Sequence, residues 1–172
     1  AYVWQEEEKS SIIDSYLNAG ARAVRECTPD ALIALHLDNL NLSMYKAAMD
    51  AWERDNVDYD VFGASSYAFW AGSNMLHNVK EAEKYVGSRG KLFAVLETSW
   101  MNSQEDADGT VNMVNDTNGA SYEVGPQGQA DMLSDLYTAI LSGDNGLGAF
   151  YWEGAWIPVK AGWVNWKYNK EV

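Results

Sequence analysis

The stretch Lys91-Leu92-Phe93-Ala94-Val95-Leu96-Glu97-Thr98-Ser99-Trp100 sets the reading of this chain. An apolar run entered through Gly90 and left through a polar segment reads as a buried strand, and Glu97 closes it. Such a residue is either a surface ion-pair partner or a functional group, because burying an unpaired charge as packing is costly. At the C-terminal end of a parallel strand, with Trp100 close by, it sits where α/β barrels hold catalytic groups. Three further strand ends of similar chemistry favour the functional reading.

Those strands are expected over Leu32 to Leu37, ending in His36-Leu37-Asp38-Asn39; over Tyr59 to Gly63, running into Ala64-Ser65-Ser66-Tyr67-Ala68-Phe69-Trp70; and over Leu147 to Glu153. Amphipathic segments separate them. Ile12, Ile13, Tyr16, Leu17 and Val24 share one helical face, as do Tyr45, Ala48, Met49 and Trp52. Leu76, Val79, Ala82 and Val86 form a third stripe, and Leu133, Leu136, Tyr137, Ile140 and Leu141 a fourth. Pro126 suits the first turn of the last helix, while Gly87, Gly90 and Gly143 look like helix stops.

The order α(βα)(βα)(βα)β implies a parallel sheet with crossover helices, followed by a Trp-rich tail from Ile157. It fits a small open sheet or the second half of a (β/α)8 TIM barrel, a fold that takes about 250 residues. At 172 residues the chain is too short for the whole barrel. Residues 1–172 are therefore expected to be the C-terminal half of a catalytic barrel, strands five to eight, and not a complete domain. Phe93, Val95 and Phe150 are expected to point inward. Such a half would fold well only against the missing N-terminal half or a second copy of the chain.

Composition narrows the partners. A formal net charge of −13 disfavours nucleic acid and anionic membrane surfaces, and no apolar run is long enough to span a bilayer. The lone Cys27 cannot form an internal disulfide and has no His near it in sequence, so it reads as a packed thiol. Eight Trp and ten Tyr are a large aromatic load, part of which must be core. Trp70, Trp100, Trp152 and Trp156 all follow strand ends; they are either sugar-stacking faces or a cluster capping the core.

His36-Leu37-Asp38-Asn39, Asp58-Tyr59-Asp60-Val61-Phe62-Gly63, Leu96-Glu97-Thr98-Ser99-Trp100 and, above all, Phe150-Tyr151-Trp152-Glu153-Gly154-Ala155-Trp156-Ile157-Pro158 resemble glycoside hydrolase family 53. Ala21 to Glu26 and Pro126-Gln127-Gly128-Gln129 match in the same order. The resemblance implies a secreted, extracellular enzyme that hydrolyses β-1,4-galactan, the arabinogalactan side chains of pectin, with retention and no organic cofactor. The resemblance makes Glu97, at the end of the seventh strand, the expected nucleophile. The acid/base in that family lies in a Gly-Asn-Glu motif after the fourth strand, which this sequence lacks, so the chain alone is expected to be inactive. Without the resemblance, Glu153 would be the obvious second carboxyl.

Around Glu97, Tyr67 either donates its hydroxyl to the carboxylate or is a core tyrosine bonded to backbone. His36, Asp38, Trp100 and Trp152 complete the expected substrate-binding set. The family usually has Tyr-Tyr-Pro where this chain has Ser66-Tyr67-Ala68. Asp106, Asp108, Thr110 and Asn112 place oxygen donors at alternate positions, a spacing that suits Ca²⁺ and equally a solvated acidic loop. In some bacterial members a calcium loop stands at this place, with His where Thr110 is. Two other readings stay open: a non-catalytic half-barrel that binds carbohydrate or packs with a partner, and a related barrel hydrolase for another β-linked polysaccharide.

Overall fold

A computed structural model describes residues 3–105 and 114–152. A 3₁₀ turn at Val3–Gln5 leads into α1 (Glu7–Cys27), β1 (Ala34–Leu37), α2 (Leu42–Arg54) and β2 (Val61–Ser65). The short α3 (Ala68–Ala71) and a 3₁₀ turn at Gly72–Asn74 precede α4 (Met75–Ser88), β3 (Leu92–Thr98), α5 (Pro126–Ile140) and β4 (Gly146–Tyr151). The strands pair in chain order, β1-β2-β3-β4, and every pair is parallel. Parallel neighbours cannot be joined by tight turns, so each needs a helical crossover, which α2, α4 and α5 supply. This is the alternation of a partial (β/α) barrel.

Local chemistry sets several element ends. Asn41 caps α2, its side-chain oxygen accepting from Ser43 N at 3.1 Å and Met44 N at 3.3 Å. Pro126 begins α5 as expected. Gly87 is a correction: it lies within α4, where an added Cβ would meet the Asn145 side chain. Both early strands start later than the apolar pattern indicates. Arg25 gathers Asp58, Asp60 and the Ala31 carbonyl at 2.8–3.0 Å, and Asp60 also accepts from Ile33 N at 2.7 Å. Polar contacts thus occupy the residues just before both strands.

The core lies on one side of the sheet. Phe62 and Ala64 of β2 and Phe93 and Val95 of β3 are fully buried with Tyr45, Met49 and Trp52 of α2, Val79 and Val86 of α4, and Leu136 and Ile140 of α5. The Phe62 and Phe93 rings stack at 6.3 Å. Phe93 and Val95 therefore face the helices, not the inside, which overturns that part of the expectation. The alternate set, Ala34, Val61, Ala94 and Leu96, lines the opposite face with Leu32, Leu147 and Phe150 around an apolar concavity of about 440 Å³. Phe150 does lie on this face and is 66% exposed.

α1 departs most from its pattern. Ile12, Tyr16 and Val24 are exposed, while Ser10, Asp14 and Ala21 are buried. Asp14 accepts from the Trp4 indole at 3.3 Å, and Arg54 of α2 reaches Ser10 at 2.7 Å. Burial, reinforced by the neighbouring Asp55 carboxyl, pushes the Asp14 pKa up to about 6. A polar network, together with Leu17 from the apolar stripe, holds α1 in place.

Candidate active site at the strand ends

Simple alternation along β3 would place Glu97 with Phe93 and Val95, against the helices. It does not go there, because the β2–β3 register shifts. Ala64 pairs with Val95 and Ser65 with Glu97, leaving Leu96 as an extra residue in β3. A bulge of this kind redirects the side chain that follows it. Leu96 itself turns onto the open face across Gly63, where a Cβ would come within 2.2 Å of a Leu96 methyl carbon. Gly63 makes room for the extra residue.

Redirected, Glu97 meets Tyr67: the phenol donates to Oε1 at 2.5 Å. The hydrogen bond fixes the orientation of the carboxylate. The Glu97 backbone is held as well, its carbonyl accepting from Ser66 N at 2.9 Å. On the β1 side, His36 Nε2 and Ser65 Oγ lie 2.9 Å apart, which links the first two strand ends. On the β4 side, Trp152 N donates to the Thr98 carbonyl at 2.8 Å.

A second lock follows β3. The Tyr151 hydroxyl accepts from Trp100 N at 3.2 Å and from Gln129 Nε2 at 3.0 Å, and donates to the Trp100 carbonyl at 3.0 Å. Gln129 Nε2 also donates to that carbonyl at 2.9 Å. One phenol and one amide thus pin both backbone groups of the residue three positions past Glu97. Sequence reasoning missed both side chains, since nothing local in Pro126-Gln127-Gly128-Gln129 or Phe150-Tyr151 announces a tertiary contact.

Trp100 is a correction. It is 2% exposed, stacks at 6.3 Å on Phe69, and donates its indole N–H to the Glu123 carbonyl at 2.7 Å. Gly128 permits this contact: a Cβ there would lie 1.7 Å from the same carbonyl oxygen. Trp100 is therefore a buried support and presents no open face to a sugar. His36 and Asp38 are exposed at the end of β1, and Trp152, 49% exposed, follows β4. Trp70 is 59% exposed beside Tyr67. Glu153, Trp156, Asp106, Asp108, Thr110 and Asn112 lie outside the described residues, and among the described ones no group of acids, His or Cys is arranged to hold a metal.

A carboxylate braced by a tyrosine at a parallel strand end has the form of a glycosidase site, and the model of glycosyl hydrolase family 53 matches residues 2–172. The chain belongs to glycosyl hydrolase family 53. It is 40% identical over 146 residues to the endo-beta-1,4-galactanase of Bacillus subtilis (strain 168), an alignment covering 83% of this chain and 34% of that protein. It is 27% identical over 153 residues to the arabinogalactan endo-beta-1,4-galactanase of Thermothelomyces thermophilus, covering 82% and 44%. Among solved structures, the Ignisphaera aggregans GH53 catalytic domain superposes with a TM-score of 0.74 at 29% identity, covering 81% of this chain and 40% of that one. The chain thus spans less than half the length of these family 53 relatives, and the match supports the partial (β/α) barrel.

The Tyr151 lock gives a direct test in the purified protein. Tyr151→Phe strands the buried Trp100 N–H and removes one donor to its carbonyl, which should cost about 1–3 kcal/mol. Urea unfolding should show a lower midpoint with an unchanged slope. An unaltered midpoint would mean that the hydroxyl contributes nothing to holding this turn.

Proposed function

We propose that this chain is the C-terminal half, strands five to eight, of the catalytic barrel of a secreted, retaining endo-β-1,4-galactanase, with Glu97 as its nucleophile. The observation that carries this reading is the Tyr67–Glu97 hydrogen bond of 2.5 Å at the end of β3, in a chain 40% identical to a galactanase. Retaining hydrolysis needs an ionised carboxylate and a second carboxyl about 5–5.5 Å away. Glu97, oriented by Tyr67, supplies the first carboxyl; the second falls to the half of the barrel that precedes β1. That half, or a second copy of the chain, would also cover the apolar face at Leu32, Leu147 and Phe150. Alone, the chain would not turn over.

The chemistry is a double displacement. The Glu97 carboxylate attacks the anomeric carbon of a galactosyl unit, forming a C–O bond as the glycosidic C–O bond breaks. The acid/base protonates the departing oxygen. Water, deprotonated by the same group, then attacks the anomeric carbon and releases Glu97 with the original configuration restored. His36 and Asp38 bond sugar hydroxyls on the β1 side, and Trp152 offers an apolar face beyond β4.

Glu97→Gln tests this in the complete enzyme. Galactan hydrolysis should fall by at least about 10⁴-fold, the scale seen when a covalent nucleophile is removed. Oligosaccharide binding should persist. Retained turnover near the parent rate would remove Glu97 from the role.

Calcium is proposed as a structural ion. Asp106, Asp108, Thr110 and Asn112 form an all-oxygen donor set at alternate positions, Thr110 contributing its carbonyl. A ligand that binds only the folded state raises its stability. The melting temperature should therefore rise with Ca²⁺ and drop in excess chelator; identical melting in both would count against the site.

A further inference from the structure

Asp14 is fully buried on α1, which packs against α2 and the 3₁₀ turn at Val3–Gln5. Its Oδ1 accepts from the Trp4 indole at 3.3 Å, a long bond, and its Oδ2 meets no donor among the described residues. The Asp55 carboxyl, just past the end of α2, lies within hydrogen-bond reach of Asp14. Two carboxylates can only accept, so as anions they leave this contact without a donor. We propose that Asp14 keeps a proton and donates it to the Asp55 carboxylate. The result is an acid–carboxylate clasp between α1 and α2 that is made in acid and opens as the pH rises.

The two surroundings decide which carboxyl holds the proton. Asp55 is secured as an anion. Arg54 donates to it through Nε at 3.0 Å and Nη2 at 2.7 Å, and Ser11 Oγ donates at 2.9 Å. The Asp55 side chain also keeps 21% of its surface in solvent. Asp14 has neither advantage. It is wholly out of solvent, and the donors of Arg54 go to Asp55, Ser10 and Ser11. A second buried charge beside Asp55 would be both desolvated and repelled. A proton on Asp14 removes the repulsion and supplies the missing donor. In keeping with this, burial above all raises the Asp14 pKa to about 6, while the hydrogen bonds from Arg54 hold Asp55 well below the usual carboxylate range.

The clasp sets how stability depends on pH. Asp14 binds its proton more tightly folded than unfolded. Its contribution is therefore complete below its ordinary value of 3.8 and is lost as the pH rises through about 6. Asp55 works in the other direction: its contribution is present above 3.8 and is lost as the pH falls below that value. Together they favour mildly acidic solution. The other charged neighbours are Arg54 on α2 and, beside it, Glu7 on α1. The 3₁₀ turn adds only the uncharged Trp4, and no His lies on any of the three elements.

The test is urea unfolding of the complete enzyme, parent and Asp14→Asn, across pH. The amide of the variant can donate to Asp55 at every pH, so it mimics the protonated acid and cannot lose the bond. Between pH 5 and pH 7.5 the folding constant of Asp14→Asn relative to the parent should rise about tenfold. A ratio that stays constant, or that moves in favour of the parent, would overturn the clasp. A second measurement needs no variant to fold. In the parent, the side-chain carboxyl carbon of Asp14, followed by NMR, should titrate near pH 6. A midpoint at or below the ordinary 3.8 would show that Asp14 is buried as an anion, and the inference would fail.

Discussion

The extra residue at Leu96 governs where the Glu97 carboxylate lies. Without it, alternation from Phe93 and Val95 would carry Glu97 against the helices, where both of those side chains are fully buried. A carboxylate there would lose several kcal/mol of solvation with no charged partner to offset it. With it, Glu97 pairs with Ser65 and meets the Tyr67 hydroxyl. Gly63 permits the shift by leaving space for the Leu96 side chain. The site therefore depends on a backbone irregularity shared between two strands, and no single residue creates it.

Around that irregularity the strand ends are laced together. His36 reaches Ser65, Ser66 N bonds the Glu97 carbonyl, and Trp152 N bonds the Thr98 carbonyl. Tyr151 and Gln129 then hold the Trp100 backbone from β4 and α5. Individually such bonds contribute about 0.5–1.5 kcal/mol each. Together they leave the carboxylate little room to wander, and a displacement reaction loses much of its rate when its nucleophile is misplaced by an ångström.

Much of this was legible in the sequence. Four parallel strands, their order, and the buried faces of α2 and α4 followed from periodicity, because those helices meet the sheet through plain apolar stripes. The Tyr67–Glu97 contact was one of the two readings that the sequence left open for Tyr67. What escaped had a tertiary cause in each case. Arg25 and Asp60 displaced the strand starts. A polar network around Asp14 and Arg54 seats α1 with Ile12, Tyr16 and Val24 of its apolar stripe outward. The facing of Phe93 and Val95 depends on which side the helices cover, and alternation alone cannot give that. Trp100 looked like a sugar platform, but Phe69, Glu123 and Gly128 enclose it. Tyr151 and Gln129 act from opposite sides of one turn and leave no local trace.

The role of Glu97 can be read chemically. A retaining enzyme forms a covalent glycosyl ester on its nucleophile, and a fluorinated galactoside with a good leaving group slows the release of that ester. Mass spectrometry of the inactivated complete enzyme should find one added sugar, on the peptide that carries Glu97. An adduct on Glu153 or another carboxylate would contradict the account, as would an active enzyme that forms no adduct and yields products of inverted configuration.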